Sequence, residues 1–323
     1  MKLFQVAPPM QLPAMAAWAW IPIVISAALF QTIRNAAQRS LAVELGTLAA
    51  TLVRFLFGLP FAVFWLLVVM QLLPAGSTAP AFSTGYFAWL ILGAIAQIAA
   101  TSFLLLAMKE RNFVTAVAFA KTEVLQVAVF ASLFLGEIPS VWAAAAMLLA
   151  SAGVVMLSVP KGAVAGGGSP GPGFGFRFGK AAWFGLASGA GFALASVGYR
   201  GAALTLPGVS PWLIGAWGVV IAQLLQTALL GGWIAARTPA VLPKIALAWK
   251  LSSVAGTMGA LASIGWFTAF AMRPAVDVKT LSLIEVLFSY LVSRKLFGEH
   301  MSRAEKIGLV LIALGLVVIS AQF

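Results

Sequence analysis

The stretch TEVLQVAVFASLFLGE, Thr122–Glu137, returns in altered form as IEVLFSYLVSRKLFGE, Ile284–Glu299. Both copies carry Glu-Val-Leu near the start and close on Gly-Glu. The inner glutamates are 162 residues apart (285 less 123), and so are the outer ones (299 less 137). Glu123 and Glu285 each stand inside an apolar run, where an ionised carboxylate is costly and by default marks a functional position. Glu137 and Glu299 stand where the run stops. Gly136 and Gly298 suit a helix end, and a glutamate suits the start of the next helix, at the positive end of its macrodipole.

Composition sets the solvent. Of 323 residues, 62% are hydrophobic and 9% charged, against roughly 45–50% apolar and 25% charged in soluble domains. Apolar runs of about 20 residues, the length that crosses a bilayer, recur along the whole chain. They are too uniformly apolar for the alternating strands of a membrane barrel, so helices are expected. The expectation is an all-α, multi-pass integral membrane protein of the plasma (inner) membrane. The net charge of +12 is scattered over the loops rather than gathered in a stripe, which argues against a nucleic-acid partner. Cysteine is absent and His300 is the single histidine, so neither a thiolate centre nor a His-rich metal site is expected. Phosphate-loop, zinc-protease and nucleophile-elbow motifs are missing. No cofactor, metal or enzymatic activity is expected.

Ten helices follow from the apolar segments: about Ala17–Gln38, Glu44–Leu73, Thr84–Met108, Phe113–Leu135 and Ser140–Val159, then Lys180–Leu204, Pro211–Arg237, Trp249–Met272, Val276–Phe297 and Arg303–Ala321. The first is expected to be retained rather than cleaved, because no small-residue cleavage site follows it. Between the fives lies KGAVAGGGSPGPGFGFRFG, Lys161–Gly179, whose Gly, Pro and Ser make a linker. The division is thus 1–159, a linker at 160–179, and 180–323. The 162-residue spacing also joins Ser26 to Ser188, Phe30 to Phe192 and Gly153 to Gly315. Five is odd, so the copies would insert upside down relative to each other. Such inverted repeats hold a solute at the bilayer midplane, with access alternating as one half rocks against the other.

The two stretches, each followed by a helix with an Ala-x-Gly-Val-like end (LLASAGVVMLS and LIALGLVVIS), resemble the EamA domain of the drug/metabolite transporter superfamily. Arg54 in TLVRFLFGLPF resembles the Arg-Phe that opens the second helix of that family. The resemblance implies two EamA repeats and transport of amino acids, nucleotide sugars, drugs or other metabolites. Many relatives carry Glu-Pro where this sequence has Glu123-Val124 and Glu285-Val286, so a proline kink is not expected here.

Glu123 and Glu285, about midway along the fourth and ninth helices, are expected either to line the central cavity, as proton-linked switches or counter-charges for a cationic group, or to tie helices together. Lys121 stands about 200° around the helix from Glu123 and is expected to point elsewhere, pairing with another helix or snorkelling. Gln126 lies a turn from Glu123; Ser282, Phe288 and Ser289 lie around Glu285. Arg54 is expected to bind a substrate carboxylate or to neutralise a buried acid in a structural ion pair. Gln97 and Thr101 share one helix face, with Trp266 and Ser263 at matching depth, and Gln31 adds a polar group from the first helix. The expected function is a secondary transporter, exporting amino acids or related amphipathic solutes and coupled to protons or to the solute gradient. The alternative is a non-transporting membrane subunit or lipid-handling protein that reuses the fold.

Loops after the odd-numbered helices hold fourteen Lys and Arg, beginning with Arg34, Arg39 and Lys109. The N-terminus and even loops hold four, Lys2, Arg200, Arg273 and Lys279. The positive-inside rule then places both termini outside the cytoplasm. A fluorescent protein fused after Phe323 should stay dark and an alkaline phosphatase fusion should be active; a fluorescent fusion overturns this orientation.

Overall fold

The computed structural model describes residues 18–74, 77–111, 113–158, 179–298 and 303–320. Glu299, His300 and most of the Gly/Pro-rich linker lie outside the described residues. Every regular element among those described is helical: α1 (Trp20–Leu45), α2 (Thr47–Leu56), α3 (Leu59–Leu72), α4 (Thr84–Glu110), α5 (Phe113–Ala120), α6 (Glu123–Leu135), α7 (Val141–Ser158), α8 (Lys180–Leu204), α9 (Pro211–Arg237), α10 (Leu242–Leu247), α11 (Trp249–Met272), α12 (Ala275–Leu281), α13 (Ile284–Leu296) and α14 (Arg303–Ser320). A single 3₁₀ turn, Pro239–Val241, leads into α10.

Among the described residues, six helical stretches are long and apolar enough to cross a membrane: Thr47–Leu72, Thr84–Glu110, Phe113–Leu135, Lys180–Leu204, Pro211–Arg237 and Trp249–Met272. Their outer faces expose Phe64, Leu67, Val129, Leu133 and Leu224, a surface that would drive aggregation in water and is at home in hydrocarbon. Trp142, Trp183, Trp212, Trp233 and Trp249 are exposed near helix ends, where indole rings sit at the membrane–water boundary. The protein is an all-α protein built to lie in a membrane.

The interior inverts the usual amphipathic rule. On α1 the residues Gln31, Arg34, Asn35 and Gln38, spaced i, i+3, i+4 and i+7 on one face, are all buried. The helix was expected to stop near Gln38, with Arg34 marking a cytoplasmic loop; it continues to Leu45. These polar residues form an inward face rather than a helix end, and Arg34, at 0% exposure, is not a topology signal.

Close packing of small residues joins distant parts of the chain. Helix α4 packs most extensively on α8, α7 on α14 and α1 on α11. A Cβ at Gly198 of α8 would lie 2.8 Å from the Trp89 carbonyl oxygen and the Gly93 amide nitrogen of α4; one at Gly265 of α11 would lie 2.8 Å from the Ala27 Cβ of α1. Between helices in lipid, this close approach replaces the hydrophobic driving force of water. Gly136 ends α6 in the left-handed region at φ 67°, and Gly298 follows α13 at φ 62°, as Gly-Glu at these two points suggests.

Substituting Gly198→Leu should cost about 1–3 kcal/mol, because the atoms it meets are backbone. Gly232→Ala, with nothing within 4 Å, should leave the midpoint of detergent unfolding unchanged or raise it; equal losses at both positions would contradict this packing.

Candidate functional site

Two helical stretches, the membrane-length Phe113–Leu135 and the α12–α13 stretch, are broken in the same way. Between α5 and α6, Lys121 N bonds the Val117 and Ala118 carbonyls at 3.1 and 3.0 Å, Thr122 N bonds Phe119 O at 3.2 Å, and the Thr122 hydroxyl donates to Phe119 O at 2.8 Å. Between α12 and α13, Leu283 N bonds Thr280 O at 3.2 Å, Glu285 N bonds Ser282 O at 3.0 Å, and the Ser282 hydroxyl donates to Lys279 O at 2.7 Å. Both breaks therefore tighten into i→i−3 bonding, helped by a hydroxyl that bonds back to its own helix. No proline is needed.

Each break sets charges at new helix ends. Glu123 is the first residue of α6 and Glu285 the second of α13, so the middle of each expected helix is where a new helix starts. Both occupy the positive end of a macrodipole. Lys121 follows the end of α5, and Lys279 lies in the last turn of α12, both at the negative end. The charges then pair across the breaks: Lys121 Nζ lies 2.6 Å from Glu285 Oε2, and Lys279 Nζ lies 3.5 Å from Glu123 Oε1. Lys121 also reaches Glu123 Oε1 at 3.1 Å and Ser282 Oγ at 3.2 Å. The 200° separation expected of Lys121 and Glu123 assumed a regular helix; the break removes that geometry.

The surrounding contacts are unequal. Glu285 Oε1 accepts from Asn35 Nδ2 at 2.9 Å, and Oε2 accepts from Gln31 Nε2 at 2.7 Å. Gln31 Oε1 in turn accepts from Trp266 Nε1 at 2.9 Å. Glu123 Oε2 has no hydrogen-bond partner among the described residues. Lys279 Nζ lies 5.0 Å from the Trp266 ring centroid and 5.7 Å from that of Phe270, within cation–π range. Arg34 donates from Nε to Asn35 Oδ1 at 3.2 Å, so α1 presents a connected polar face to Glu285. Arg54 of α2 donates to Thr101 Oγ1 at 2.9 Å and Ser263 Oγ at 3.4 Å.

Glu123, Glu285, Gln31 and Trp266 thus meet in one cluster, and Arg54 meets Thr101 beside it. Gln97 goes elsewhere: its Oε1 accepts from Tyr199 OH at 2.8 Å and Gln226 Nε2 at 2.7 Å. Gln97 and Thr101, one turn apart on α4 and both buried, thus take different partners, Thr101 bonding Arg54. Gln126 donates to Thr122 at 3.3 Å rather than to Glu123, because Thr122 sits at the break one turn away. Ser289 is buried with its hydroxyl unpartnered. Sequence reasoning passed over Lys279 as a loop charge, Arg34 as a topology signal and Asn35 altogether; the polar spacing on α1 was the available signal.

Glu137 is more than helix punctuation. Its Oε1 accepts from Arg200 Nε at 2.7 Å, and its Oε2 accepts from Ala275 N at 3.1 Å, the first amide of α12. Arg200 Nη1 also donates to Phe270 O at 2.7 Å, in the last turn of α11. One ion pair thus satisfies a helix start and a helix end that would otherwise lack partners. Beside it a surface cavity of about 350 Å³ is lined by Glu137, Ser140, Pro274 and Asp277. The charge cluster itself is closed to solvent: Lys121 is 4% exposed and Glu285 1%.

No family model and no curated protein matches the chain. A solved crystal structure of a protein 19% identical in sequence superposes with a TM-score of 0.64, over 94% of this chain and 96% of that one. At that identity the likeness concerns the fold.

Removing one member of a buried pair strands the other and costs about 3–5 kcal/mol. Glu285→Ala should therefore lower the melting temperature in detergent markedly, since it leaves Asn35 and Gln31 without their acceptor and Lys121 without its shorter ion pair. Glu123→Gln should cost less. The reverse order would overturn the assignment of Glu285 as the more firmly held carboxylate.

Proposed function

We propose that the protein is a secondary transporter of the drug/metabolite type, ten spans arranged as two inverted EamA-like repeats (1–159 and 180–323, joined by 160–179), exporting small amphipathic metabolites such as amino acids. The observation that carries this reading is the reciprocal pairing of Lys121 with Glu285 and of Lys279 with Glu123, at two buried helix breaks, the first of them inside the membrane-length stretch Phe113–Leu135. Residue counting puts the first break about 12 Å from one end of Phe113–Leu135 and about 20 Å from the other, well inside hydrocarbon. Broken helices whose ends carry charge at that depth are how secondary transporters hold solutes and ions.

The pattern of neighbours supports two related halves. Helix α5 spans Phe113–Ala120 and α12 spans Ala275–Leu281, starting 162 residues apart (275 less 113). α6 packs on α12 while α13 packs on α5, and α6 packs on α8 while α13 packs on α1. Exchanging one half of the sequence for the other leaves this list of neighbours unchanged, as a two-fold relation between inverted repeats requires.

The closed cluster would be reached from one side at a time, and the Arg200–Glu137 clip ties three helix ends together where one entrance would open. Glu123, with an unsatisfied oxygen and a single lysine-bonded one, is the carboxylate better placed to exchange a proton, while Glu285 holds the breaks together.

Purified protein in liposomes should show counterflow of labelled amino acids or other small metabolites, accelerated by a pH gradient. Alanine at Glu123 or Glu285 should reduce it to less than about a tenth, since each substitution unbalances charges held at low dielectric. Full activity in both variants would remove the cluster from the pathway.

A further inference from the structure

The charges of the cluster do not balance. Lys121, Lys279, Arg34 and Arg54 face Glu123 and Glu285, and all six are buried. The two lysines take both carboxylates. Among the described residues, neither arginine has a carboxylate within salt-bridge distance. Arg34 bonds only the amide of Asn35, and Arg54 only two hydroxyls. Arg34 Nη1 and Arg54 Nε have no hydrogen-bond partner, although both side chains are at 0% exposure. Each guanidinium thus keeps an unused donor in a place where leaving a charge unpaired is heavily penalised.

The two are neighbours. Both lie over Gly259 of α11, where a Cβ would meet Arg54 Cγ at 3.0 Å and Arg34 Cδ at 3.3 Å. Glycine there leaves room for both side chains. Ser263, bonded by Arg54, and Trp266, bonded to Gln31, are three residues apart on α11 and share a face. An arginine pair therefore stands at one end of a polar strip, with an indole ring at the other.

We infer that Arg34 and Arg54 anchor a carboxylate of the transported solute, and that this solute is a net-negative organic acid with an apolar body. The assignment rests on the transporter reading and deepens it by naming the substrate class. A guanidinium fork suits a planar carboxylate and binds it with charge-assisted hydrogen bonds. An anion reduces the surplus of two cations; a zwitterion leaves it unchanged and an amine increases it. The apolar body would lie along Trp266, towards the Lys121–Glu285 pair.

The test uses three probes with one ring and three charges: phenylacetate, phenylalanine and phenethylamine. Melting of purified full-length protein in detergent should rise with phenylacetate and not with phenethylamine. The Arg54→Gln protein should melt, without probe, at the wild-type temperature or above it, because an unpaired charge has been removed, and should bind phenylacetate at least about tenfold more weakly. A structural arginine would instead give a lower melting temperature. If the variant does not fold, the charge series on the wild-type chain decides the matter. Stabilisation by phenethylamine or phenylalanine but not phenylacetate overturns the inference. Counterflow in liposomes separates it from the broader reading: stabilisation by phenylacetate without counterflow of any solute keeps the anion site and removes the transporter, whereas counterflow of phenethylamine alone does the opposite.

Discussion

A lysine and a glutamate meeting across two broken helices, Lys121 Nζ to Glu285 Oε2 at 2.6 Å, is the contact on which the interior depends. Neither charge is tolerable alone in an apolar bundle. Each is made tolerable twice over: by the helix end on which it sits, whose partial charge has the opposite sign, and by its partner on the other break. The breaks in turn exist because Thr122 and Ser282 spend their hydroxyls on their own backbone. Local hydrogen bonding, helix electrostatics and tertiary pairing therefore agree, and α5, α6, α12 and α13 are held in register by that agreement.

Uninterrupted apolar runs bounded by Pro, Gly or charge were legible in the sequence. The bounds expected for α8, α9 and α11 coincide with those found, since nothing in those stretches competes with the helical pattern. The breaks were not legible. Lys121-Thr122 and Ser282-Leu283 contain neither Gly nor Pro, and only side-chain bonding to the preceding turn reveals them. Missing the first break led directly to setting Lys121 apart from Glu123, because helical angles were applied across a point where the helix stops; its expected pairing with another helix is found, with Glu285. The polar face of α1 was misread for a different reason. In a chain whose solvent is lipid, polar residues at helical spacing point inward; Gln31 was read so, but Arg34 was taken for a loop charge and Gln38 for the helix end.

Arg54 shows how far a residue type alone can go. Its depth in an apolar helix marked it from the sequence as a partner for a carboxylate, but nothing there distinguished an internal carboxylate from an external one. The distinction came from accounting for both acids elsewhere: Glu285 is fully engaged by Lys121, Gln31 and Asn35, and Glu123 is shared by the two lysines.

The intimate pairings of α4 with α8 and of α1 with α11 each join one helix from the first half of the sequence to one from the second. Small residues bring the backbones close there, and the Trp89, Tyr199 and Arg34 side chains pack directly over Gly201, Gly93 and Gly259. Moving either half as a solid body would open those seams. Shape change would pass more cheaply through elbows, and two of the places where a helical stretch is interrupted, at 121–122 and 282–283, are also where charges are stored. Bending the backbone and exchanging ionic partners would then be one event rather than two.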